Sequence, residues 1–361
     1  MGYVAVKGGK EAIEKSVEMY KSRRFREGQD IEVESIKTNM RQLINQVMSE
    51  ASFYDRDLCA LAIKQAEGNM EEAVFLMRAH RSTLPRLYYS TVTNTREMFV
   101  KRRVSASFKD IPGGQILGAS PDYTHRLLDD ALLGLQTLAD YVTDEGEEEI
   151  EYDYKLDALP KVIDYLEAEG LYSKPEIDDT LPDDITKKSI EYPSSRSERL
   201  QSLTRGQTGA VTSLGYAEIR GYGFSTHPNI GECRVGDQPV HIEDMDGEEY
   251  FIGDIELTEI DAFLPDEKES SDKEDHQSEM TFNIGYGLTF GQNETKAIAM
   301  SVLDYSLSHP VENAPTTDDE FVLYHIDSVE STGFISHLKL PHYVTFQSKL
   351  DRMRQSGRKS E

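Results

Sequence analysis

ECRVGDQPVHIEDMDGEEYFIGDIELTEI, residues 232–260, contains the clearest β-strand signals of the chain. Asp246-Gly247 lies between two of these signals and is typical of a hairpin turn, because glycine adopts a positive φ angle without strain. The pattern therefore predicts antiparallel pairing between the strands on either side of this turn. The predicted strands are short and cover residues 232–235, 240–242 and 250–260.

The residues that follow the hairpin predict one further strand and one helix. Residues 281–290 have a strand pattern, and residues 292–307 have a helical pattern of apolar side chains. Gly291 precedes the helix, and a helix N-terminus at this place either attracts an anion or is an ordinary capped end. An acidic insert near residues 265–280 separates this part from the hairpin.

The N-terminal part of the chain has a helical pattern instead. From Ile36 to Ala51 the apolar residues recur on one helical face. Asp55 is a candidate cap for a second helix that ends near Gly68, and Asn69 is a candidate cap for a third helix. We therefore predict a helical domain at 1–95, followed at 96–361 by a mixed domain. The predicted fold class is α+β, a helical N-terminal part before a mixed α/β C-terminal part with short antiparallel strands.

Composition narrows the functional class. The 361 residues carry a formal net charge of −27, and 20 of the acidic residues lie in three inserts near 144–153, 174–191 and 265–280. Such a charge excludes nucleic acid as the expected partner, since binding to nucleic acid depends on neutralising phosphates. No apolar run is long enough for a membrane span. The two cysteines make no disulfide framework, so a cytoplasmic location is expected.

Two segments between the helical part and the hairpin need separate interpretations. Residues 98–109 alternate like a strand and include Lys101, Arg102 and Arg103. These cations either bind a phosphate together with the glycine-rich turn that follows, or protect a solvated strand edge. Residues 122–139 have the pattern of a helix that begins at Asp122.

A pair of histidines near the C-terminus is the strongest candidate for a functional site. His337 and His342 are five positions apart, and Pro341 lies between them. Proline interrupts a helix, so both imidazoles are expected on a bent segment where they can turn to one side. Neutral imidazole is a common metal ligand, and a packed loop is the alternative interpretation. His325 precedes Asp327, and this pair is a candidate to join a metal site at the His337 segment or to orient its ligands.

Several blocks of the sequence resemble the PhnI family, whose members are subunits of the bacterial carbon–phosphorus lyase complex. SHLKLPHYV at 336–344, followed by Phe346-Gln347, resembles the C-terminal signature of that family. The sequence departs from the family mainly in the three acidic inserts, so contacts made there are in doubt. Other similar blocks, in the same order, are at 3–9, 48–50, 62–66, 83–86, 125–129, 220–223, 234–236 and 290–294.

The resemblance implies a function in phosphonate metabolism. It implies a transferase subunit that displaces adenine from ATP at C1 of the ribose with an alkylphosphonate, or uses GTP in the same way. The product would be a ribose 1-phosphonate 5-triphosphate, and the subunit alone would have purine nucleosidase activity. The partners implied are small core subunits, a radical iron–sulfur subunit and ABC-type ATPase subunits, with no membrane association.

The resemblance also implies a zinc site. The histidine pair of the family corresponds to His337 and His342, which would bind zinc at the boundary with the radical subunit. Because the substrates are anions, Arg220, Lys296 and Lys339 are candidate substrate-binding residues. Glu294 is a candidate catalytic carboxylate, since carboxylates stabilise oxocarbenium-like sugars. The alternative function is a non-catalytic scaffold whose histidine pair is an interface zinc staple.

Overall fold

A four-stranded antiparallel sheet contains the predicted hairpin. In the computed structural model the strands are adjacent in chain order, and Gly247 has a φ angle of 81° in the turn at Asp246-Gly247. The α+β class is confirmed, but the predicted strands at 232–235 and 240–242 form one strand of 15 residues. The strands are β1 (Phe99–Val104), β2 (Asn229–Glu243), β3 (Glu249–Glu267) and β4 (Met280–Phe290).

The strands pair over different lengths. β1 pairs with β2 only between Val104 and Phe99, and β4 pairs with β3 only from Leu257 to Glu267. β2 and β3 pair along almost their whole length, as far as Glu243 opposite Glu249. The hairpin therefore continues as a two-stranded ribbon beyond the four-stranded part of the sheet.

The structure describes residues 9–24, 30–133, 159–172, 180–222, 227–267 and 280–357, and the chain divides into two units. One, called unit 1 here, comprises Met1–Arg86, Leu181–Phe224 and Ser306–Glu361. The other, called unit 2, comprises Leu87–Thr180 and Ser225–Tyr305 and contains the sheet. The boundary that we predict near residue 95 separates domains and remains a prediction. The two units are a different division, since unit 1 contains segments from both sides of that boundary.

Ten α-helices of the described residues lie in unit 1. Asp55 accepts a hydrogen bond from the Leu58 N–H at 2.8 Å, and Asn69 accepts one from the Glu72 N–H at 2.9 Å, so both predicted caps are confirmed. The helices are α1 (Gly9–Arg23), α2 (Val33–Asn39), α3 (Arg41–Ala51), α4 (Arg56–Gln65), α5 (Met70–Ser82), α7 (Arg196–Arg205), α8 (Thr208–Ala217), α10 (Asp319–Ile326), α11 (Ser328–Ser336) and α12 (Tyr343–Gly357).

Unit 2 has a short helix, α6 (Ile163–Ala168), and all but the last three residues of a long one, α9 (Glu294–Ser308), which is close to the predicted 292–307. Ala297 of α9 is buried with Cys233 and Ile260 of the sheet. Gly287 of β4 lies directly under α9: a Cβ atom there would overlap the carbonyl oxygen of Ala297. The absence of a side chain at Gly287 therefore lets α9 pack directly against the backbone of β4.

One predicted helix is wrong where it can be checked. Residues 124–129 are not helical, and only short 3₁₀ turns at Pro121–Tyr123 and Asp130–Leu133 flank them. Arg126 has a positive φ of 55°, and Leu127 and Leu128 are exposed, so no packing stabilises a helix there. Residues 134–139, the insert at 144–153 and much of the other two inserts lie outside the described residues.

None of the helices in the described ranges is long and apolar enough to cross a membrane.

Candidate functional site

The histidine pair lies on a bend between two helices of unit 1. α11 ends at Ser336, a 3₁₀ turn covers His337–Lys339, and α12 begins at Tyr343. The two imidazole rings are neighbours, with centroids 5.3 Å apart and planes 58° apart. Both side chains are partly exposed. The bend thus brings both rings to one place, as the spacing predicts.

The hydrogen bonds of the two rings define which nitrogen remains for a ligand. The Nδ1 atom of His342 lies 2.6 Å from the Leu340 carbonyl oxygen, and the Nδ1 atom of His337 contacts the Phe334 carbonyl oxygen. In a neutral imidazole the ring nitrogen that faces a carbonyl oxygen donates its proton there, which leaves the lone pair on Nε2. This backbone contact is the arrangement that orients metal-binding histidines.

Two imidazoles supply half of a tetrahedral zinc site. Among the described residues no group of three or more His, Cys, Asp or Glu side chains is placed to hold a metal ion. Asp327 does not contribute, because both its carboxylate oxygens lie 2.8 Å from Nη1 of Arg78. The residues present therefore fit a zinc ion only if another molecule supplies the other ligands.

Large apolar side chains surround the histidine pair and are exposed. Lys339 is also exposed in the same segment. Helices α11 and α12 thus present an apolar surface on both sides of the bend. The exposed apolar residues include Phe334 at 69%, Ile335 at 66%, Leu338 at 61%, Val344 at 71% and Phe346 at 62%.

Glu294 lies in unit 2, at the start of α9, and is held by an arginine. Its Oε1 atom accepts from Nε of Arg102 at 2.9 Å, and its Oε2 atom accepts from Nη2 of Arg102 at 3.1 Å. Gln292 also donates to Oε1 at 2.9 Å. The side chain of Arg102 is 4% exposed and that of Glu294 is 18% exposed. The carboxylate is therefore oriented and largely neutralised by an almost buried cation.

The predicted substrate cations occupy different surroundings. Lys296 of α9 is fully buried, with 0% of its surface exposed, so an anion reaches its ammonium group only if neighbouring chain moves. Arg220 is exposed, and its guanidinium lies 5.9 Å from the ring centre of Tyr216. Arg220, Lys339 and the histidine pair belong to unit 1, whereas Glu294 and Lys296 belong to unit 2. Their roles remain predictions.

Two arginines of the basic strand at 98–109 neither bind phosphate nor protect a solvated strand edge. Arg102 binds Glu294 and also Asp122, at 2.7 Å. Arg103 is completely buried and forms an ion pair with the buried Glu232. These arginines have protein carboxylates as partners, so they neither line a solvated edge nor remain available for phosphate. Only Lys101 of the three is substantially exposed.

A buried group of charges in unit 2 is absent from the sequence predictions. Lys161 lies 3.1 Å from Glu259 and 3.0 Å from Asp261, and all three are buried. Arg234 also binds Glu259, with its Nε atom 3.1 Å from Oε2. The Tyr286 hydroxyl donates to Glu259 at 3.0 Å. The Glu259 carboxylate is therefore the centre of the group, since it contacts Lys161, Arg234 and Tyr286.

The pKa values of this group follow from the same contacts. Burial alone would raise the pKa of Glu259, but the charges of Lys161 and Arg234 outweigh it and lower that pKa to about 2. Burial raises the pKa of Asp261, although the charge of Lys161, 3.0 Å away, opposes this effect. Glu259 is therefore a stable anion of the folded protein.

Comparison with known proteins assigns the family. A family model described as "Bacterial phosphonate metabolism protein (PhnI)" matches residues 2–360. Two relatives, from Rhizobium meliloti and Escherichia coli, are named alpha-D-ribose 1-methylphosphonate 5-triphosphate synthase subunit PhnI. Each is 41% identical to this chain; the first alignment covers 99% of the chain and 96% of the relative, the second 98% and 97%.

A third relative, from Stutzerimonas stutzeri, is named putative C-P lyase subunit protein HtxH. It is 40% identical over 98% of this chain and 95% of its own length. The similarity therefore extends over whole chains and includes the histidine segment as well as the sheet. This chain belongs to the PhnI family of bacterial phosphonate metabolism proteins.

Proposed function

We propose that this chain is the subunit of a carbon–phosphorus lyase complex that replaces the purine of ATP or GTP with an alkylphosphonate. The observation that carries the proposal is the 41% identity, over almost the full length, to two subunits named for the synthesis of ribose 1-methylphosphonate 5-triphosphate. The proposed product is the corresponding ribose 1-phosphonate 5-triphosphate.

The proposed reaction is a substitution at C1 of the ribose. A phosphonate oxygen forms a bond to C1 while the glycosidic C–N bond breaks. The electron pair of that bond leaves with the purine, which takes up a proton from the surrounding water. In the isolated chain a water molecule takes the place of the phosphonate, which gives purine nucleosidase activity.

The chain supplies charged groups for such a substitution. Arg220 and Lys339 are exposed cations that would bind the anionic substrates. Glu294 would face the positive charge that develops on the sugar, with Arg102 fixing its orientation. Lys296 of α9 is fully buried, so it would bind substrate only if the residues that cover it move.

His337 and His342 would hold zinc at a boundary with another subunit, for which the radical iron–sulfur subunit is the proposed partner. The exposed apolar residues on both sides of the bend support a protein contact there, and the two missing ligands support a shared site. Bound zinc would polarise an oxygen of the ligand or join the two chains. Small core subunits and ABC-type ATPase subunits complete the proposed assembly.

The second candidate function is a non-catalytic scaffold. It is favoured by the incomplete ligand set of the histidine pair and by the ion pair that neutralises Glu294. In this case zinc fastens two subunits, and the purine is released by another chain. Both candidates require zinc at the bend, so turnover must be measured together with zinc content.

The experiment is to measure zinc content and purine release from ATP for the isolated chain and for the assembled complex. The double variant His337→Ala/His342→Ala is expected to lose zinc and to reduce purine release by at least tenfold in the complex. His80→Ala, which changes a histidine of α5, is the control and should keep both.

The outcomes separate the two functions. Purine release by the isolated wild-type chain, reduced by Arg220→Ala or Glu294→Gln, supports the catalytic subunit. The scaffold is favoured if the double variant loses zinc and no longer assembles, while the isolated wild-type chain releases no purine. Retention of zinc in the double variant would refute the histidine site.

A further inference from the structure

The ribbon at the end of the β2–β3 hairpin, residues 238–256, exposes large apolar side chains. Tyr250, Phe251 and Ile252 of β3 are half-exposed, and Met245 in the turn is almost fully exposed. A two-stranded hairpin without other packing is only marginally stable in water, because it buries little apolar surface. Single apolar residues on a surface need no explanation, but several on one narrow ribbon are typical of a protein contact.

These side chains lie on both faces of the ribbon. Tyr250 and Phe251 pair with consecutive residues of β2, so their side chains point to opposite faces. The Phe251 ring lies beside that of His241, with centroids 5.5 Å apart, and it still remains half-exposed. A flat surface can cover only one face of the ribbon. An occupant that buries both aromatic rings of β3 must therefore have a groove.

The two edges of the ribbon differ. At the edge formed by β2, the Thr91 N–H donates to the His241 carbonyl oxygen at 2.9 Å, so the chain itself covers this edge there. At the edge formed by β3, no strand of the described residues pairs with residues 249–255, since β4 begins its pairing with β3 at Leu257. The ribbon is therefore open to a partner along β3.

A bulge interrupts this open edge. Pairing between the described strands β2 and β3 passes from Phe251 directly to Gly253, so Ile252 has no paired residue in β2. A bulge bends a strand and disturbs its ladder, so an added strand could pair regularly with only part of the edge. Side-chain contacts are therefore expected to supply most of the specific recognition.

The charge of the ribbon favours a basic partner. Residues 243–256 contain seven acidic residues and no lysine or arginine. Lys101 lies 3.5 Å from Glu256, but this contact is at the end of the ribbon that joins the sheet and not near the turn. A symmetric contact between two copies would bring these acids together, and like charges in a contact are costly. The occupant is therefore a different protein with basic residues.

We propose that the ribbon docks into a groove of another subunit of the carbon–phosphorus lyase complex, and that this groove has apolar walls and a rim rich in lysine or arginine. The walls would remove Tyr250, Phe251 and Ile252 from water, and the rim would pair with acids such as Glu248 and Asp254. Apolar burial supplies affinity, whereas rim charges mainly increase the rate of association. The proposal rests on membership of such a complex, which is part of the proposed function, but not on the reaction or on zinc.

The first test is hydrogen exchange measured by mass spectrometry, on the isolated chain and on its complex with the other subunits. The backbone amides of residues 249–255 are at an open edge in the isolated chain, so they should exchange rapidly there. In the complex their exchange should be at least about tenfold slower, because the groove excludes water from the ribbon.

The second test is the affinity of a ribbon variant for the other subunits, purified without this chain. Tyr250→Thr/Ile252→Thr should bind at least about tenfold more weakly, because two apolar side chains are lost from the contact. Threonine favours strands, and both side chains are exposed, so the melting temperature of the isolated chain should not change. Phe99→Thr is the matched control, since Phe99 is a half-exposed residue of β1 outside the ribbon.

The basic rim is tested by removing charge from the ribbon. Glu248→Gln/Asp254→Asn should slow association about threefold, because it removes attraction to the rim. The affinity of this variant should also fall less than that of the wild type when NaCl is raised from about 0.05 to 0.3 M. An equal salt dependence would show that the rim of the groove is not basic.

The outcomes separate this proposal from the proposed function. If the chain does not bind the other subunits at all, both fail. Only the docking proposal fails if the complex assembles while residues 249–255 exchange as fast as in the isolated chain, or if Tyr250→Thr/Ile252→Thr binds as well as Phe99→Thr. A dimer of the isolated chain that protects residues 249–255 would make a second copy the occupant and would also overturn the proposal.

Discussion

At the scale of single residues, Glu259 illustrates how the interior of unit 2 is stabilised. It accepts hydrogen bonds from Thr95 at 2.6 Å and from Tyr286 at 3.0 Å, besides its contacts with Lys161 and Arg234. A buried carboxylate with this many partners is favourable only while it is ionised. The acid resistance of unit 2 should therefore depend on this one residue.

The role of Glu259 is tested by measuring the free energy of unfolding as a function of pH. The pKa of Glu259 is about 2 in the fold and 4.5 in the unfolded chain, so its contribution is present above pH 4.5 and is lost as the pH falls towards 2. The contribution is roughly 3 kcal/mol. Glu259→Gln should lower the free energy of unfolding at pH 7 and flatten its fall between pH 4.5 and 2, as measured by urea unfolding.

Glu97→Gln is the control for this measurement, because Glu97 is an exposed acid of the same unit. It should leave the pH profile of the wild type almost unchanged. Equal slopes for Glu259→Gln and the wild type below pH 4.5 would show that other carboxylates govern acid unfolding.

At the scale of secondary-structure elements, local patterns predict well where packing agrees with them. The hairpin turn, the strand at 281–290, the helix at 292–307 and the caps Asp55 and Asn69 all occur as expected. β2 is longer than its sequence pattern predicts. It continues through residues of weak β propensity, such as Gly236 and Pro239, because these residues pair with β3.

The ion pairs of the sheet escape sequence reasoning for a specific reason. Counting back from the turn, where Glu243 pairs with Glu249, places Arg234 opposite Thr258. A bulge at Val240/His241 shifts the register by one residue, so Arg234 actually lies opposite Glu259. The inserted residue changes the cross-strand pairs as far as Glu232, where a second shift restores the original count. The glycine at position 253, with a φ of 136°, is a signal of this bulge.

The contact between α9 and β4 gives a prediction at this scale. Gly287→Ala should lower the free energy of unfolding by about 1–3 kcal/mol, because the added methyl group would overlap the Ala297 carbonyl oxygen and push the helix from the sheet. Gly333→Ala in α11 meets no atom within 4 Å and should be neutral or stabilising. Thermal unfolding of both variants tests the contact, and equal melting temperatures would contradict it.

At the scale of the whole molecule, the net charge of −27 dominates the electrostatics. Self-repulsion between exposed acids destabilises the folded chain and is screened by salt, whereas buried pairs such as Arg103–Glu232 are screened much less. Raising NaCl from 0.02 to 0.3 M should therefore increase the free energy of unfolding by about 1 kcal/mol, as measured by urea unfolding. A decrease would mean that surface ion pairs outweigh the repulsion.

The site is predicted less completely than the fold. The proline between His337 and His342 is enough to predict a bend, and the structure confirms that the rings are neighbours. The ion pair of Glu294 joins it to Arg102 of β1, which is 192 residues away in sequence, and no local pattern indicates it.

The ribbon formed by β2 and β3 beyond the four-stranded sheet has a consequence for handling the protein. Among the described residues, no strand covers the outer edge of β3 at residues 249–256, and Tyr250, Phe251 and Ile252 are exposed there. Such an edge can template intermolecular β-structure and aggregation. Glu248, Glu249 and Asp254 lie along this part of the chain, and their negative charges would repel the same edge of a second copy. Solutions of the chain should therefore remain clear at neutral pH, where its net charge is −27, and become turbid near the sequence pI of about 4.7.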